Sequence, residues 1–489
     1  MITDEVFRKS LLKCWIGKVP KSVVVALSGG VDSICLTYLL SRYRDKYDPN
    51  LKIHAVTIDH KYRPGSDQEA VKVGNIVKKW NVSHIVKALS YNKDIHNLPS
   101  FEELARFKRY ETFEDVCLQL NSNLFVAHNL NDQLETFVQR LQGNSSIFGL
   151  AGLKKRSVLP VLQREPYRNQ ILVYRPLLGF DKEDIISTCV KNNVTWFEDV
   201  TNKDTSLTRR NYLRHLINDV IPKKRLKDSS LEIITKESLS KSHSEVTDIV
   251  ENLLSKVSSL KNYFESQGSI TVDEKNGKLT ISFPTNLLDE KSSMVFSRFL
   301  YYSLFPFSSI KHYHWAYAKV ERQLVPRLVK HLNEGSEKDL KLTYLNLVFD
   351  LTYNREHTLI NISRQPIQRN ELSEIQREIV ISKDWTDWIL FDRRFWLRFK
   401  QDYESKSITI VPYSYKLHKK MVHPEIANND VFFKGIDSIP VVISNGQIVA
   451  LPTHGLYAAS ELIQGEWYLK RNVYSNDLDD LDDINSTVN

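Results

Sequence analysis

Near the start of the chain, short runs of β-branched residues alternate with longer amphipathic stretches. The short runs predict buried strands at residues 22–27, 53–58, 84–88 and 123–127. The stretches between them have helical spacing and predict helices at residues 33–43, 66–80 and 102–120. Strands that alternate with helices predict an α/β fold, in which helices cover both faces of a parallel sheet. Such sheets bind ligands beyond the carboxyl ends of their strands.

The rest of the chain predicts two smaller domains. A basic segment that ends in Lys223, Lys224 and Arg225 indicates a boundary, so we expect a catalytic domain at residues 1–225. Residues 226–263 are rich in Ser, Lys and Glu with helical spacing and begin a mixed helical domain at 226–375. We expect an α+β domain at 376–489, where Asn445-Gly446 predicts a two-residue hairpin between strands 440–444 and 447–451.

Composition limits the classes of protein that this chain can belong to. Its 489 residues suggest about three domains. The chain carries 67 Lys and Arg against 59 Asp and Glu, a net charge of +8 that permits a polyanionic partner. An acidic stretch at residues 477–483 predicts a solvated tail. No apolar run approaches the roughly 18 residues of a membrane span, so we expect no membrane partner.

The four cysteines and the first residues of the chain bear on its compartment. Cys14, Cys35, Cys117 and Cys189 are widely separated in sequence, which favours a reducing compartment over a disulfide-linked secreted fold. The first 20 residues contain acidic side chains and no long apolar segment, so they do not predict a secretory signal. They are also a poor match to a mitochondrial transit peptide.

The strongest local motif is Ser28-Gly29-Gly30-Val31-Asp32-Ser33, between the first predicted strand and its helix. Glycines at such a turn let backbone N–H groups approach a phosphate, and the start of the helix adds partial positive charge. Asp32 could hold Mg²⁺ or cap the helix. The alternative is an ordinary capped turn, and the two glycines alone do not exclude it.

This motif resembles the pyrophosphate-binding loop of the N-type ATP pyrophosphatases, which split ATP between its α and β phosphates. Further motifs, in the same order, resemble the tRNA(Ile)-lysidine synthase family. They are Ile58-Asp59-His60, Arg63-Pro64 with Ser66, Ala105-Arg106, Arg109-Tyr110, His128, Asp132-Gln133, Glu135-Thr136, residues 149–153 (GLAGL), residues 175–177 (RPL), Asp199, Asn202, Arg210-Asn211 and Arg214. The resemblance covers roughly the first half of the chain and implies a Rossmann-like domain that binds ATP.

The resemblance implies a ligase that converts the wobble cytidine of a CAU-anticodon tRNA(Ile) into lysidine. ATP, with Mg²⁺, would adenylate the 2-oxygen of the cytosine, because that oxygen is otherwise a very poor leaving group. The side-chain amine of free L-lysine would then displace AMP. Since the ordinary pKa of this amine is about 10.4, it must lose a proton before it attacks. The resemblance implies that residues 28–33 and Asp59 bind ATP.

For lysine, the sequence offers Asp132 and Glu135, which are three residues apart and would share one helix face. Without other motifs, acidic residues in a first helical turn would be the simpler interpretation. The resemblance implies that both contact lysine, together with Arg210. Because this chain has one more residue before the Arg-Asn motif than the bacterial pattern, either Arg209 or Arg210 could make that contact.

Other cations could bind ATP phosphate or tRNA. Arg106 and Arg109 are candidates, although they could instead form surface ion pairs with Glu102 or Glu103. The resemblance adds His128 to the substrate-binding residues. Residues 391–400 alternate so that Arg394, Trp396, Arg398 and Lys400 would share one strand face, either as an RNA-binding surface or as a solvated edge around a packed Trp396. We expect both smaller domains to contact tRNA.

Two other functions remain open at this point. A tRNA thiolase would activate the base in the same way, but it usually needs paired cysteines, and no Cys-x-x-Cys is present. A catalytically inactive tRNA-binding relative would not need the phosphate loop. The extra residue before Arg210 resembles fungal members of the family, which favours mitochondria for a eukaryotic protein, and the cytoplasm otherwise. The sequence does not indicate an oligomeric state.

Overall fold

A computed structural model describes residues 1–15, 20–61, 65–91, 101–161, 164–166, 171–197, 209–311, 313–335, 339–354, 356–428 and 433–471. The chain forms two compact units. The first consists mainly of Met1–Leu162 and Asn169–Glu251, and the second mainly of Asn252–Ser475. The predicted acidic tail lies outside the described residues.

The first unit is an α/β domain. Its strands are β1 Ser22–Ala26, β2 Lys52–Asp59, β3 Ser83–Ala88, β4 Asn123–Phe125, β5 Arg156–Val158 and β6 Leu172–Tyr174. Its helices are α1 Asp4–Cys14, α2 Val31–Tyr47, α3 Ser66–Lys78, α4 Phe101–Gln119, α5 Leu130–Gln142, α6 Ile147–Leu150, α7 Lys182–Lys191, α8 Arg209–His215 and α9 Ile221–Lys224, with a π-helical turn Leu216–Val220 between the last two. The sheet order is β3-β2-β1-β4-β6-β5, and only the edge strand β5 is antiparallel. The predicted fold class is confirmed.

The central strand β1 shows why this sheet is covered on both faces. Val23 and Val25 belong to a core formed with α1, α2, α3 and α7, whereas Val24 belongs to a core formed with α4. All three valines are fully buried. A strand that is buried on both faces consists of a continuous run of apolar residues, and such a run is the pattern that predicted β1.

The predicted elements of this domain match the observed ones closely. The four predicted strands correspond to β1–β4 and the three predicted helices to α2, α3 and α4, with ends that differ by a few residues. Helix α2 begins two residues earlier than predicted and ends four residues later.

The long helix α10, Lys236–Ser266, corresponds to the helix predicted at 226–263. The boundary between the two units falls within it, at residue 251, and residues 226–251 belong to the first unit. The division into domains at 225 and 375 therefore stays a prediction. None of the helices among the described residues combines the length and apolar character needed to cross a membrane.

The second unit contains three antiparallel sheets. Their strands are β7 Ile270–Asp273, β8 Lys278–Pro284, β9 Leu340–Tyr344, β10 Leu347–Tyr353, β11 His357–Arg364, β12 Arg377–Ile381, β13 Ile389–Phe391, β14 Phe395–Gln401, β15 Lys406–Pro412, β16 Pro440–Ser444, β17 Gln447–Leu451, β18 Leu456–Tyr457 and β19 Ile463–Leu469. The sheet orders are β7-β8-β11-β10-β9, β12-β15-β16-β17-β18 and β13-β14-β19. The helices are α11 Ser293–Leu304, α12 Tyr317–Lys319, α13 Val325–Asn333, α14 Arg369–Ile375, α15 Tyr415–His418 and α16 Pro424–Ala427.

The hairpin prediction near the C-terminus is confirmed. Strands β16 and β17 pair in antiparallel fashion around Asn445 and Gly446, which have φ angles of 48° and 77°. Positive φ at both central positions is what a type I′ turn requires, and Asn-Gly tolerates it.

The prediction of one continuous strand over residues 391–400 is wrong for its first part. Positive φ angles at Asp392 and Arg393 make a turn between β13 and β14. Arg394 is fully buried and donates to Asp392 Oδ2 at 2.7 Å and to the Ser438 carbonyl at 2.6 Å, and Trp396 is also buried. These two side chains therefore belong to the interior of the second unit and are not available to RNA.

Candidate active site

The loop between β1 and α2 is built to bind an anion. Gly29 has a φ of 87°, and a Cβ atom there would lie 2.7 Å from Cγ2 of Val73, so only glycine fits. The Ser28 and Ser33 hydroxyls lie 3.1 Å apart, and Ser33 Oγ donates to the Gly30 carbonyl at 3.0 Å. Gly30 provides no side-chain cap for α2. The first N–H groups of this 17-residue helix therefore lack a side-chain cap, which makes its start suitable for phosphate.

Asp32 lies in the first turn of α2 and has two partners from other elements. Lys182 Nζ of α7 donates to Asp32 Oδ2 at 2.6 Å, and Asn129 Nδ2 donates to Asp32 Oδ1 at 3.0 Å. Asp32 and Lys182 form an ion pair in which each side chain is about one-third exposed. Lys182 thus brings a cation next to the phosphate loop, although it is 150 residues away in sequence.

A Mg²⁺ site at the phosphate loop stays a prediction. Among the described residues, no cluster of three or more His, Cys, Asp or Glu side chains could hold a metal ion. Mg²⁺ in nucleotide sites commonly takes one or two carboxylates together with phosphate oxygens. Asp32 can supply one such carboxylate once Lys182 releases its Oδ2.

Asp59 lies at the carboxyl end of β2, beside β1 in the sheet. Its Oδ1 accepts hydrogen bonds from the Lys61 backbone N–H at 2.8 Å and from Ser66 Oγ at 2.7 Å. This buried carboxylate joins the end of β2 to the start of α3. Its contact with ATP stays a prediction.

A four-residue ion-pair cluster joins α5 to α8. Arg210 Nη2 lies 2.7 Å from Asp132 Oδ1, and Arg210 Nε lies 2.8 Å from Glu135 Oε2. Arg214 Nε lies 2.6 Å from Glu135 Oε1, and Arg214 Nη2 lies 3.5 Å from Asp132 Oδ1. We call these four residues the carboxylate–arginine cluster. Its two negative and two positive charges balance, which makes the burial of Glu135, with only 2% of its side chain exposed, tolerable.

The environment keeps Asp132 ionised. Burial by itself would raise the pKa of this carboxyl group, but Arg210, His128 and the Asn129 N–H together outweigh burial, so that its pKa lies below the usual value. Asp132 therefore remains a carboxylate at neutral pH and can attract a cation.

His128 lies just before the residues that begin α5. Arg175 Nε donates to its Nδ1 at 3.1 Å, which makes Nδ1 the acceptor of the imidazole ring. Arg175 is held in turn by the Lys154 carbonyl and by Ser157 Oγ, both at 2.9 Å. This arrangement fixes the orientation of His128 at the edge of the site.

Arg106 and Arg109 lie three residues apart on α4. The guanidinium of Arg106 lies over the Tyr110 ring, 5.5 Å from its centroid. Arg109 lies close enough to His60 to act on its titration. Burial, reinforced by Arg109, lowers the pKa of His60 to about 4, so His60 is neutral at physiological pH. Phosphate or tRNA contacts of the two arginines stay predictions.

Several predicted residues lie outside the described part of the chain. These are Arg63-Pro64, Asp199, Asn202 and the side chains of Glu102, Glu103 and Arg209. Arg210, directly before Asn211, lies in the carboxylate–arginine cluster.

Arg214, which was named among the motifs without a role, takes part in the site, as do Asn129 and Lys182, which were not named. Arg214 follows Arg210 by one helical turn, so the helical period could have identified it. Asn129 caps α5, and the pattern Asn-x-x-Asp indicates such a cap. Lys182 has no local signal, because only the fold brings it to Asp32.

The cysteines differ in their protonation, because a hydrogen bond from Cys35 lowers the pKa of Cys189 whereas burial keeps two others as neutral thiols. All four are free and buried. Burial raises the pKa of Cys14 to about 11 and that of Cys117 to about 12, so both thiols are protonated at neutral pH. Sulfur transfer requires a reactive thiolate or a cysteine-bound cluster.

A glycine phosphate loop at the start of a helix, on a parallel sheet and beside a second charged cluster, defines a nucleotide-using domain of the PP-loop class. Residues 3–221 match the family model described as a PP-loop domain. The chain is 24% identical over 459 residues to a probable tRNA(Ile)-lysidine synthase of Schizosaccharomyces pombe, an alignment that covers 90% of this chain and 92% of that relative. It is 33% identical over 193 residues to the tRNA(Ile)-lysidine synthase of Rickettsia akari, which covers 39% of this chain and 41% of that relative. The chain is therefore similar, over nearly its whole length, to a relative named as a probable tRNA(Ile)-lysidine synthase.

The matches to solved structures are weak. A U34-tRNA thiolase from Methanococcus maripaludis, with its [4Fe-4S] cluster, is 15% identical with a TM-score of 0.37, over 50% of this chain and 79% of that one. The NMN synthetase of Francisella tularensis is 12% identical with a TM-score of 0.30, over 50% of this chain and 94% of that one.

Proposed function

We propose that this protein is a ligase that forms lysidine at the wobble cytidine of a CAU-anticodon tRNA(Ile), from ATP and free L-lysine. The observation that carries the proposal is the pairing of two sites on one domain. The phosphate loop at residues 28–33 is linked through Asp32 and Asn129 to the carboxylate–arginine cluster. One site suits a nucleotide, and the other suits a small molecule that carries both charges.

The first half-reaction transfers AMP to the 2-oxygen of the cytosine and releases pyrophosphate. The loop N–H groups and the start of α2 bind the departing phosphates, and Lys182 can move from Asp32 to a phosphate oxygen nearby. Asp32 would hold the Mg²⁺ that neutralises phosphate charge when ATP is bound. Arg106 and Arg109 add cations for phosphate or for the tRNA backbone.

The second half-reaction needs lysine held so that its ε-amine stays free to attack. Free lysine carries two ammonium groups and one carboxylate, which match the carboxylates and the guanidinium groups of the cluster. Asp132 and Glu135 attract an ammonium group, while Arg210 and Arg214 can take the lysine carboxylate. The ε-amine then attacks C2 of the cytosine after losing its proton, and the C–O bond to AMP breaks. His128 lies beside Asp132 and contributes to substrate binding.

The remaining parts of the chain would hold tRNA. Lys223, Lys224 and Arg225 are exposed at the end of α9, on the helical run that starts at Arg209 and includes Arg210. Contacts from the regions 226–375 and 376–489 would add to them, because neutralising several phosphates supplies most of the affinity for nucleic acid. We place the protein in mitochondria if it is eukaryotic, and in the cytoplasm otherwise.

The proposal predicts when ATP is consumed. We expect ATP to yield AMP and pyrophosphate at a sustained rate only when both lysine and a CAU-anticodon tRNA(Ile) are present. The measurement is pyrophosphate release with each substrate omitted in turn, with a tRNA that carries a different anticodon as the control. Equal turnover with cysteine or ammonia in place of lysine would contradict the proposal.

A further inference from the structure

Asn129 is a buried side chain that contacts both halves of the site. It follows β4 and caps α5, with 3% of its surface exposed. Its Oδ1 accepts from the backbone N–H groups of Asn131 at 2.9 Å and Asp132 at 3.2 Å, and its Nδ2 donates to Asp32 Oδ1 at 3.0 Å. Its own backbone N–H donates to Asp132 Oδ2 at 3.0 Å.

These partners fix the orientation of the amide. If the amide were flipped, its NH₂ group would face two backbone N–H donors and its oxygen would face the Asp32 carboxylate. Both contacts would then be repulsive, so the network allows one orientation only. A capping residue needs only the acceptor. The donor of Asn129, which reaches Asp32, is therefore not explained by capping.

The contacts form a continuous series of polar groups across the domain. The Asp32 carboxylate accepts hydrogen bonds from Lys182 and from the Asn129 amide. The Asn129 side chain accepts one from the first turn of α5, and Asp132 in that turn pairs with Arg210. Phosphate bound at the loop would compete with Asp32 for Lys182. The Asp32 carboxylate would then exchange Lys182 for the Mg²⁺ of the nucleotide, and a carboxylate held in this way would offer Asn129 a single, fixed acceptor.

We propose that Asn129 is a positioning residue that couples nucleotide binding at Asp32 to lysine binding at Asp132. This inference rests on the proposed function, because it takes the carboxylate–arginine cluster to be the lysine site. A firmly held Asn129 orders the first turn of α5 and the Asp132 carboxylate. Bound nucleotide should therefore increase the affinity for lysine, and lysine should increase the affinity for nucleotide by the same factor.

Two variants separate coupling from capping. Asn129→Ser keeps an N-cap acceptor but is too short to reach Asp32, whereas Asn129→Ala removes both functions. Calorimetry would give the Kd of lysine with and without an ATP analogue whose α–β bridge is methylene. For the unchanged protein we expect the analogue to tighten lysine binding about tenfold, within the usual range of coupling. Thermal unfolding of each variant checks that it folds.

For Asn129→Ser we expect the tenfold effect of the analogue on the Kd of lysine to fall to about twofold or less. A purely structural cap predicts instead that Asn129→Ser behaves like the unchanged protein and that only Asn129→Ala is impaired, which would overturn the inference. Absence of any coupling in the unchanged protein would also overturn it. If the unchanged protein binds the analogue but no lysine, both the proposed function and this inference are wrong.

Discussion

At the scale of single residues, the site depends on charges that are paired with partners of fixed geometry. Glu135 is held by both Arg210 and Arg214, and Asp132 is held by Arg210 and by the α5 cap. Arg210 bridges Asp132 and Glu135 with two directed N–H donors, a geometry that a lysine ammonium cannot reproduce. The identity of the cation at position 210 is therefore as important as its charge.

Arg210→Lys should raise the KM for lysine by at least about tenfold, because one of the two directed hydrogen bonds is lost, a change of roughly 1.4 kcal/mol. The value of kcat should change by much less, since the loop and Asp32 are untouched. Steady-state kinetics with lysine as the varied substrate measure both constants. Arg209→Lys is the matched control, and a larger effect at 209 than at 210 would show that the assignment is wrong.

The lowered pKa of Asp132 also predicts how pH affects the stability of the fold. Its pKa in the folded protein is lowered, so it stabilises the fold at pH values above the unfolded pKa of about 3.9, and this contribution is lost as the pH falls through the lower folded pKa. We expect Asp132→Asn to lower the free energy of unfolding at pH 7, with a smaller difference at the lowest pH at which the protein still folds. Denaturant unfolding at several pH values measures this. A difference that grows as the pH falls would contradict the assigned pKa direction.

At the scale of elements, the phosphate loop depends on a strand and a helix that meet at a glycine. The strand β1 is buried on both faces, and α2 is packed against α7 and α3, so the loop between them is held at both ends. Most of this could be predicted from sequence, because the apolar runs and the two glycines lie within about 20 consecutive residues. The position of Lys182 could not, since it depends on how α7 packs beside α2.

Gly29→Ala should disrupt the loop. Its φ of 87° is unfavourable for alanine, and the new Cβ would lie 2.7 Å from Val73, so we expect a loss of about 1–3 kcal/mol and a large loss of ATP affinity. Gly179→Ala is the matched control, because a Cβ there meets no atom within 4 Å. Thermal unfolding and nucleotide binding measure the two effects. Equal behaviour of the two variants would contradict the account of the loop.

At the scale of the whole molecule, the two units were predictable to different degrees. The first unit follows from its βαβ pattern. Its ordered motifs indicated Asp132 and Glu135, together with either Arg209 or Arg210, as candidate lysine contacts. The second unit consists of antiparallel sheets whose strands pair across long distances in sequence, such as β8 with β11 and β14 with β19. Local patterns predicted its β16–β17 hairpin but not these pairings.

The wrong prediction for residues 391–400 has the same physical cause. Alternation correctly indicated a strand, but it could not show that Asp392 and Ser438 would bury Arg394 on the face expected to be solvated. Arg398 and Lys400 are only partly buried, and both lie over the Trp385 ring. Any RNA contact by this strand would therefore come from its second half.

The central claim is that lysine from solution becomes joined to the wobble cytidine. The most direct measurement is mass analysis of the nucleosides of a CAU-anticodon tRNA(Ile) after incubation with the protein, ATP and isotope-labelled lysine. The account predicts that the label appears in one nucleoside, at the wobble position, and that its formation requires ATP and is lost in Asp32→Ala. An unmodified cytidine in the complete reaction, or a sulfur-containing product at that position, would contradict it.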